Sequence, residues 1–409
     1  MLVLFDQSVM AQVCPSPVPT EYQHVQPGSI VAAYFGNWDV YGGNHYPISK
    51  IAEVAPQLTH LIYGFMKPDD VTGTCKPHDL WADVGGYEGY QSKIGGNFAQ
   101  LLELKQKFPH LKIMLSVGGG TYNKNFISIA KDKDKLLRFA QSCVDMLDFY
   151  DHPFLMDGAY KRKNHLTYQG LFDGLDIDWE WDVKTLTPEY AERFSEFIHE
   201  LKRLLVMRKQ QSGQEGLLTV ALQVMPEVYQ NLGLAKFMDQ VDWFNIMAYD
   251  FFGSHSATVG LNAPICGSWS LYSIDGAIDR IIKEQLSPEK MVLGLPLYGY
   301  VYENTNGYKA IIDKKNNTGK AKALSYHIIK SRYLDNADCK TAWNDFERAS
   351  SLYCQKEKLF VSYDNKQSML EKVDFAHHKR MQGVVLWRLS GDDPEHTIVR
   401  AVSRAVAKL

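Results

Sequence analysis

FDGLDIDWEWD, residues 172–182, sets Leu175, Ile177, Trp179 and Trp181 in alternation with Asp176, Asp178, Glu180 and Asp182. Period two sends the two sets to opposite faces of a β-strand. Such a strand belongs either at a sheet edge with one solvated face or in a closed barrel with its acids pointing inward. Seven further apolar or β-branched runs decide between these. They are SIVAAYF from Ser29, THLIYGF from Thr59, LKIMLSV from Leu111, LLTVALQV from Leu217, VDWFNIMAY from Val241, MVLGLPLYG from Met291 and GVVLWRL from Gly383. Helix-periodic segments lie between them, among them KLLRFAQSCVDML from Lys135 and EYAERFSEFIHELKRLL from Glu189. Strands alternating with helices predict an α/β fold with a parallel sheet. Eight such units, over more than the ~250 residues typical of such barrels, predict a (β/α)8 TIM barrel. A closed barrel has no edge, so the acids of the fourth strand face its interior, and acids at the C-terminal ends of barrel strands are typically catalytic.

The spacing of the strands is uneven. Roughly 80 residues separate strands seven and eight, far more than one helix needs, and they include the turn-rich ENTNGY and DKKNNTG. An inserted α+β subdomain at 302–361 accounts for them, leaving 29–301 and 362–409 as the barrel and 1–28 as a leader outside it. MLVLFDQSVMA at the start reads as a poor or truncated secretion signal or as an ordinary tail; the first reading makes the chain a secreted, extracellular protein. The long connection from Tyr150 to Gly170 before strand four has the length of a functional lid or decoration.

Composition narrows the function classes. Hydrophobic residues at 45% and charged residues at 22% of 409 positions describe a globular chain. A net charge of -3 supplies no basic field for a phosphate backbone and argues against nucleic acid as a partner. No apolar run reaches the roughly 18 to 20 residues of a membrane span. The six cysteines form no CxxC, which excludes a zinc ribbon or dithiol redox motif and leaves disulfides open. The 8 Trp, 23 Tyr and 19 Phe offer flat faces, in a core or along a ligand groove.

Carboxylates spaced this closely raise one another's proton affinity, so one of the row should hold a proton near neutral pH. That is the requirement for a general acid, and Glu180 lies nearest the mouth where a substrate would sit. Clustered acids also suit Mg2+ or Ca2+. The strand lacks the loop glycine and ligand spacing of an EF-hand, and no second His or acid cluster completes a site, so we assign no metal and no cofactor.

Asp173, Asp176, Asp178 and Glu180, spaced three, two and two, resemble the signature of the family 18 glycoside hydrolases, the chitinases. Other strands agree. Ser116, Val117, Gly118 and Gly119 resemble SxGG at the end of strand three, and Met247, Ala248, Tyr249 and Asp250 resemble MxYD at the end of strand six. Strand one offers Tyr34 and Phe35 followed by Trp38, strand two ends at Phe65, strand seven carries GLPLYG and strand eight carries Trp387. The resemblance runs in order from about Ser29 to the C-terminus.

The resemblance implies hydrolysis of β-1,4-linked N-acetylglucosamine with retention, in which no enzyme carboxylate attacks the sugar. Glu180 would protonate the glycosidic oxygen while the substrate's acetamido oxygen attacks to give an oxazolinium ion; Glu180 would then activate the water that opens it. Asp178 would hold the acetamido N–H, Asp176 would share a proton with Asp178, and Tyr249 would donate to the acetamido oxygen. Trp387 would floor the subsite of the distorted sugar, and Asp250, Met247, Tyr34, Trp38 and Phe65 would line the substrate path. For Met247 plain barrel packing is the alternative. Asp173 and Ser116 would be structural or supporting, with Gly118 and Gly119 shaping the turn; Tyr34 and Ser116 would bond the Asp176 end of the row.

Two positions depart from the family's pattern. Gly120 and Thr121 follow SxGG where an aromatic residue is frequent, and Tyr300 follows GLPLYG where Arg is frequent. Trp38, Phe251, Phe252, Trp269 and the aromatics of the 150–169 loop are the candidates to replace the missing platform. Two rivals share most of these features: an endo-β-N-acetylglucosaminidase acting on N-glycans, and a chitinase-like lectin that binds without cutting.

Overall fold

Each of the eight apolar runs becomes a barrel strand in the computed structural model, which describes residues 29–41, 45–85, 96–148, 170–214, 216–267, 272–313, 315–316 and 318–408. The leader at 1–28, the 150–169 loop and Trp269 lie outside the described residues. In chain order the strands begin β1 (Ile30–Gly36), β2 (His60–Asp69), β3 (Thr74–Pro77), β4 (Lys112–Gly118), β5 (Gly174–Asp178), β6 (Leu217–Gln223), β7 (Trp243–Met247) and β8 (Met291–Pro296). After β9 (Tyr298–Glu303), β10 (Lys320–Ser325), β11 (Cys339–Asn344), β12 (Ala349–Cys354) and β13 (Leu359–Tyr363), β14 (Gly383–Trp387) completes the barrel. The parallel order β1-β14-β8-β7-β6-β5-β4-β2 closes through a β1–β2 pairing, as the sequence predicts.

The outer face of β5 behaves as the alternation requires. Leu175, Ile177, Trp179 and Trp181 are buried in the main core. After α1 (Ile48–Ile51) and α2 (Gly96–Lys107) comes α3 (Asn123–Ala130), whose Phe126 stacks on the Trp179 ring at 4.6 Å; Trp179 also stacks on Trp181 at 4.1 Å, with Phe194 of α5 (Pro188–Ser212) set edge-on at 5.5 Å. The limits of α5 are written in its ends: Thr187 accepts the Tyr190 N–H, Pro188 occupies the first turn, and Gly213 closes the helix in the left-handed region at φ 73°. Preceding α5 in the chain, α4 (Lys133–Asp145) starts from an Asp132 cap that accepts the Lys135 N–H.

The structure corrects the strand limits at two places. MVLGLPLYG is not one strand: β8 stops at Pro296, and Leu297 turns the chain out of the barrel, its N–H donating to the Trp387 carbonyl at 2.7 Å and its carbonyl accepting from Tyr326. The strand running from Thr59 continues past Phe65 to Asp69 and pairs antiparallel with β3. Between β8 and β14 lies the insertion, an antiparallel sheet in the order β10-β9-β13-β12-β11. Its strands run from Tyr298 to Tyr363, beyond both 302 and 361. A Cys339–Cys354 disulfide links β11 to β12.

Candidate active site

The barrel register builds the site from the bottom upward. Ser116 on β4 and Thr219 on β6 are the direct neighbours of Asp176 on β5. All three are inside the barrel, and the Asp176 carboxylate accepts four hydrogen bonds: from Tyr34 Oη at 2.9 Å and Ser116 Oγ at 2.6 Å on one oxygen, and from Thr219 Oγ1 at 2.6 Å and Asn245 Nδ2 at 3.0 Å on the other. Burial pushes the Asp176 pKa up and these donors pull it back. Tyr34 and Ser116 stand where they were expected; Thr219 and Asn245 were missed, although inward period two along β6 and β7 would have found them. Asp173 sits at the opposite end, accepting the Ile113 N–H at 2.7 Å and paired with Lys105 at 2.6 Å.

Asp178 is buried beside Gly118, whose backbone lies against it. A Cβ on Gly118 would stand 2.2 Å from the Asp178 carbonyl oxygen, and φ there is 119°, which only glycine adopts freely. The Asp178 side chain is differently placed from that of Asp176: its Oδ1 is buried with no hydrogen-bond partner. Its pKa is pushed well up, by burial first and then by the charges of Glu180 and Asp176.

Glu180 lies two residues past the end of β5. The alternation persists there because the Gln223 side chain substitutes for a strand, accepting the Trp181 N–H at 2.6 Å and donating to its carbonyl. Gly120 faces the carboxylate so closely that a Cβ would lie 3.1 Å from Oε1. The departure from an aromatic residue after SxGG therefore begins at a position packed on Glu180. The Glu180 pKa is also raised, by burial and then by Asp250, against a hydrogen bond from the Gly120 backbone that lowers it. The charge of Glu180 in turn raises Asp178, so the two carboxyls titrate as a pair.

Asp250 is held from two sides. Its backbone adopts φ 59° and its N–H donates to Asn262 Oδ1. One carboxylate oxygen accepts both Tyr298 Oη at 2.5 Å and Tyr300 Oη at 2.9 Å, hydroxyls carried by β9 of the insertion. Tyr300 thus occupies its unusual position as a partner of Asp250. Tyr249, Met247 and Trp387 share one pocket with Tyr34, Asp178, Glu180, Asn245 and Asp250. Burial, followed by the charges of Asp250 and Asp178, raises the Tyr249 pKa far above its usual value and keeps the hydroxyl a donor.

An aromatic row floors the mouth. Phe65 stacks on Trp387 at 5.9 Å and lies 5.9 Å from Trp38, while Tyr34 meets Trp387 edge-on at 5.1 Å. With 7% of its surface exposed and Gly119 packed on its ring, Phe65 supports the row rather than offering a face of its own. Arg388 covers Trp38 at 5.1 Å and pairs with the buried Asp39 at 2.8 Å. Among the proposed platform replacements, Phe251, in the segment after β7, is buried in the main core, and Phe252 packs against Tyr272. Among the described residues no group of three His, Cys, Asp or Glu side chains is arranged to hold a metal ion.

The family model for glycosyl hydrolases family 18 matches residues 30–392, which contain the whole site. The chain belongs to that family. Chitinase A1 of Niallia circulans is 26% identical over 417 residues, covering 88% of this family 18 chain and 56% of that relative. Chitinase 1 of Aphanocladium album is 28% identical, over 95% and 88% of the two chains. The chain thus spans little more than half the length of the first of these. Among solved structures, chitinase ChiA74 from Bacillus thuringiensis superposes with a TM-score of 0.79 at 26% identity, over 93% of this chain and 70% of that one.

In this family 18 chain the hold on Asp250 makes a prediction. Asp250→Asn keeps an acceptor oxygen for Tyr298 and Tyr300 but removes the charge that raises the Glu180 pKa. With Glu180 as the general acid that the resemblance implies, a group that works only while protonated, the alkaline limb of kcat/KM is expected to move to lower pH in the variant. A limb that stays in place or moves upward contradicts the coupling.

Proposed function

We propose that this chain is a chitinase that hydrolyses β-1,4 linkages of chitin and its N-acetylglucosamine oligomers, with retention, through a substrate-assisted oxazolinium route. The observation that carries it is the unpartnered Asp178 Oδ1, buried in the same pocket as Tyr249, Glu180 and Trp387. A buried acceptor without a donor costs roughly 1–3 kcal/mol, and a substrate acetamido N–H supplies that donor. With the N–H on Asp178 and the Tyr249 hydroxyl on the acetamido oxygen, that oxygen is aimed at the anomeric carbon. Glu180 gives its proton to the leaving glycosidic oxygen as the acetamido oxygen closes on carbon one. The positive charge of the ring that forms is stabilised by the Asp178 carboxyl oxygen that holds the acetamido N–H. Glu180 then takes a proton from the water that opens the ring from the same side, and β-product leaves. Trp387 supports the sugar face, and the insertion, through Tyr298 and Tyr300, walls one side of the cleft.

The family of the chain and the chitinase names of its relatives support this reading. The Cys339–Cys354 disulfide suits the secreted location proposed with it, and among the described residues no helix is long and apolar enough to cross a membrane. The test is cleavage of N-acetylglucosamine oligomers with the anomers of fresh product read by NMR. Fresh β-product is expected. Fresh α-product would sink the substrate-assisted route, binding without turnover would favour a lectin, and release of N-glycans with indifference to the oligomers would favour the endo-β-N-acetylglucosaminidase.

A further inference from the structure

Two thiols outside the pocket are packed together where the β2–β3 hairpin meets α4. Cys75 lies on β3, opposite Pro68 of β2, and Cys143 lies in the last turn and a half of α4. Both are fully buried and unbridged. The Cys75 backbone N–H donates to Ser142 Oγ at 2.8 Å, so the strand is held against the helix at the residue adjoining Cys143, and the two thiols are near enough for Cys75 to raise the proton affinity of Cys143. The other described cysteines, Cys266, Cys339 and Cys354, are all disulfide-bonded.

We propose that Cys75 and Cys143 are a site of oxidative modification, closing to a further disulfide that staples the β2–β3 hairpin to α4 when the chain folds in an oxidising compartment. Two S–H bonds break and one S–S bond forms. The two electrons and two protons pass by thiol–disulfide exchange to an external disulfide, of a small thiol compound or a dithiol oxidoreductase, which leaves as two thiols. Attack requires a thiolate, and burial pushes the Cys143 thiol well up. Exchange therefore runs before the hairpin docks, or during local opening, and the finished bond is shielded from reductant. The hairpin grows from Met66, the residue after Phe65, so the staple anchors one edge of the aromatic row.

The test uses the full chain made by an oxidising route such as bacterial periplasmic export. Free thiols are alkylated under denaturing conditions and the unreduced digest is mapped by mass spectrometry. A Cys75 peptide joined to a Cys143 peptide is expected; alkylation of both in molecules that retain the Cys339–Cys354 bond overturns the proposal. A second reading compares melting points of oxidising and reducing preparations for wild type and Cys75→Ala. Closing a loop of roughly 70 residues should make the oxidising-minus-reducing difference larger in wild type by on the order of 5 °C. Equal differences count against the staple.

Discussion

Glu180→Gln is expected to lower kcat on N-acetylglucosamine oligomers by on the order of 10^3-fold while leaving their binding within about threefold, since loss of a positioned general acid typically removes 10^2 to 10^4 in rate. The substitution is nearly isosteric at a position where space is short. Gly120 packs directly on the carboxylate and its backbone N–H needs an acceptor there; the Gln amide oxygen still provides one. What disappears is the proton for the leaving oxygen and, in the second half of the reaction, the base for water. The Trp387 floor, Tyr249 and Asp178 remain to hold the sugar, so binding followed by Trp fluorescence or calorimetry should persist. A loss of less than tenfold in kcat would remove Glu180 from the acid role. A parallel collapse of binding would show that its part is to hold substrate.

Much of this arrangement was legible because it rests on short-range pattern. The alternation in FDGLDIDWEWD sorts Asp176 and Asp178 from Leu175 and Ile177, and period two holds wherever a strand is paired on both sides. Glu180 lines the pocket for a reason the alternation alone does not give: the strand has already ended, and the Gln223 side chain carries the alternation on. Other parts depend on contacts between distant segments. Nothing local in GLPLYG marks Leu297 as the point where the chain leaves the barrel, because the bonds that hold it come from Trp387 and Tyr326. Tyr300 registers in the sequence only as a missing Arg, and its partner lies 50 residues away. Likewise Thr219 and Asn245 become legible as partners of Asp176 only once the strand register is known.

Asp178→Asn is expected to lower kcat by about 10^2 to 10^3-fold, the range seen when one preorganised electrostatic contact to a developing charge is lost, and at the same time to raise the melting point. The second effect separates a functional carboxyl from a structural one. Asp178 is buried with an unpartnered oxygen between Asp176 and Glu180, so its folded-state pKa lies well above the ordinary 3.8. A group raised in this way adds stability that is fully present below the unfolded value and is lost as pH rises towards the folded one. At neutral pH the wild-type chain carries that loss, whereas an amide does not titrate. The variant should therefore gain about 1 kcal/mol, the size common when a strained functional group is relieved, with the gain growing from pH 4 to pH 7. A melting point that falls at every pH would identify Asp178 as a residue the fold needs.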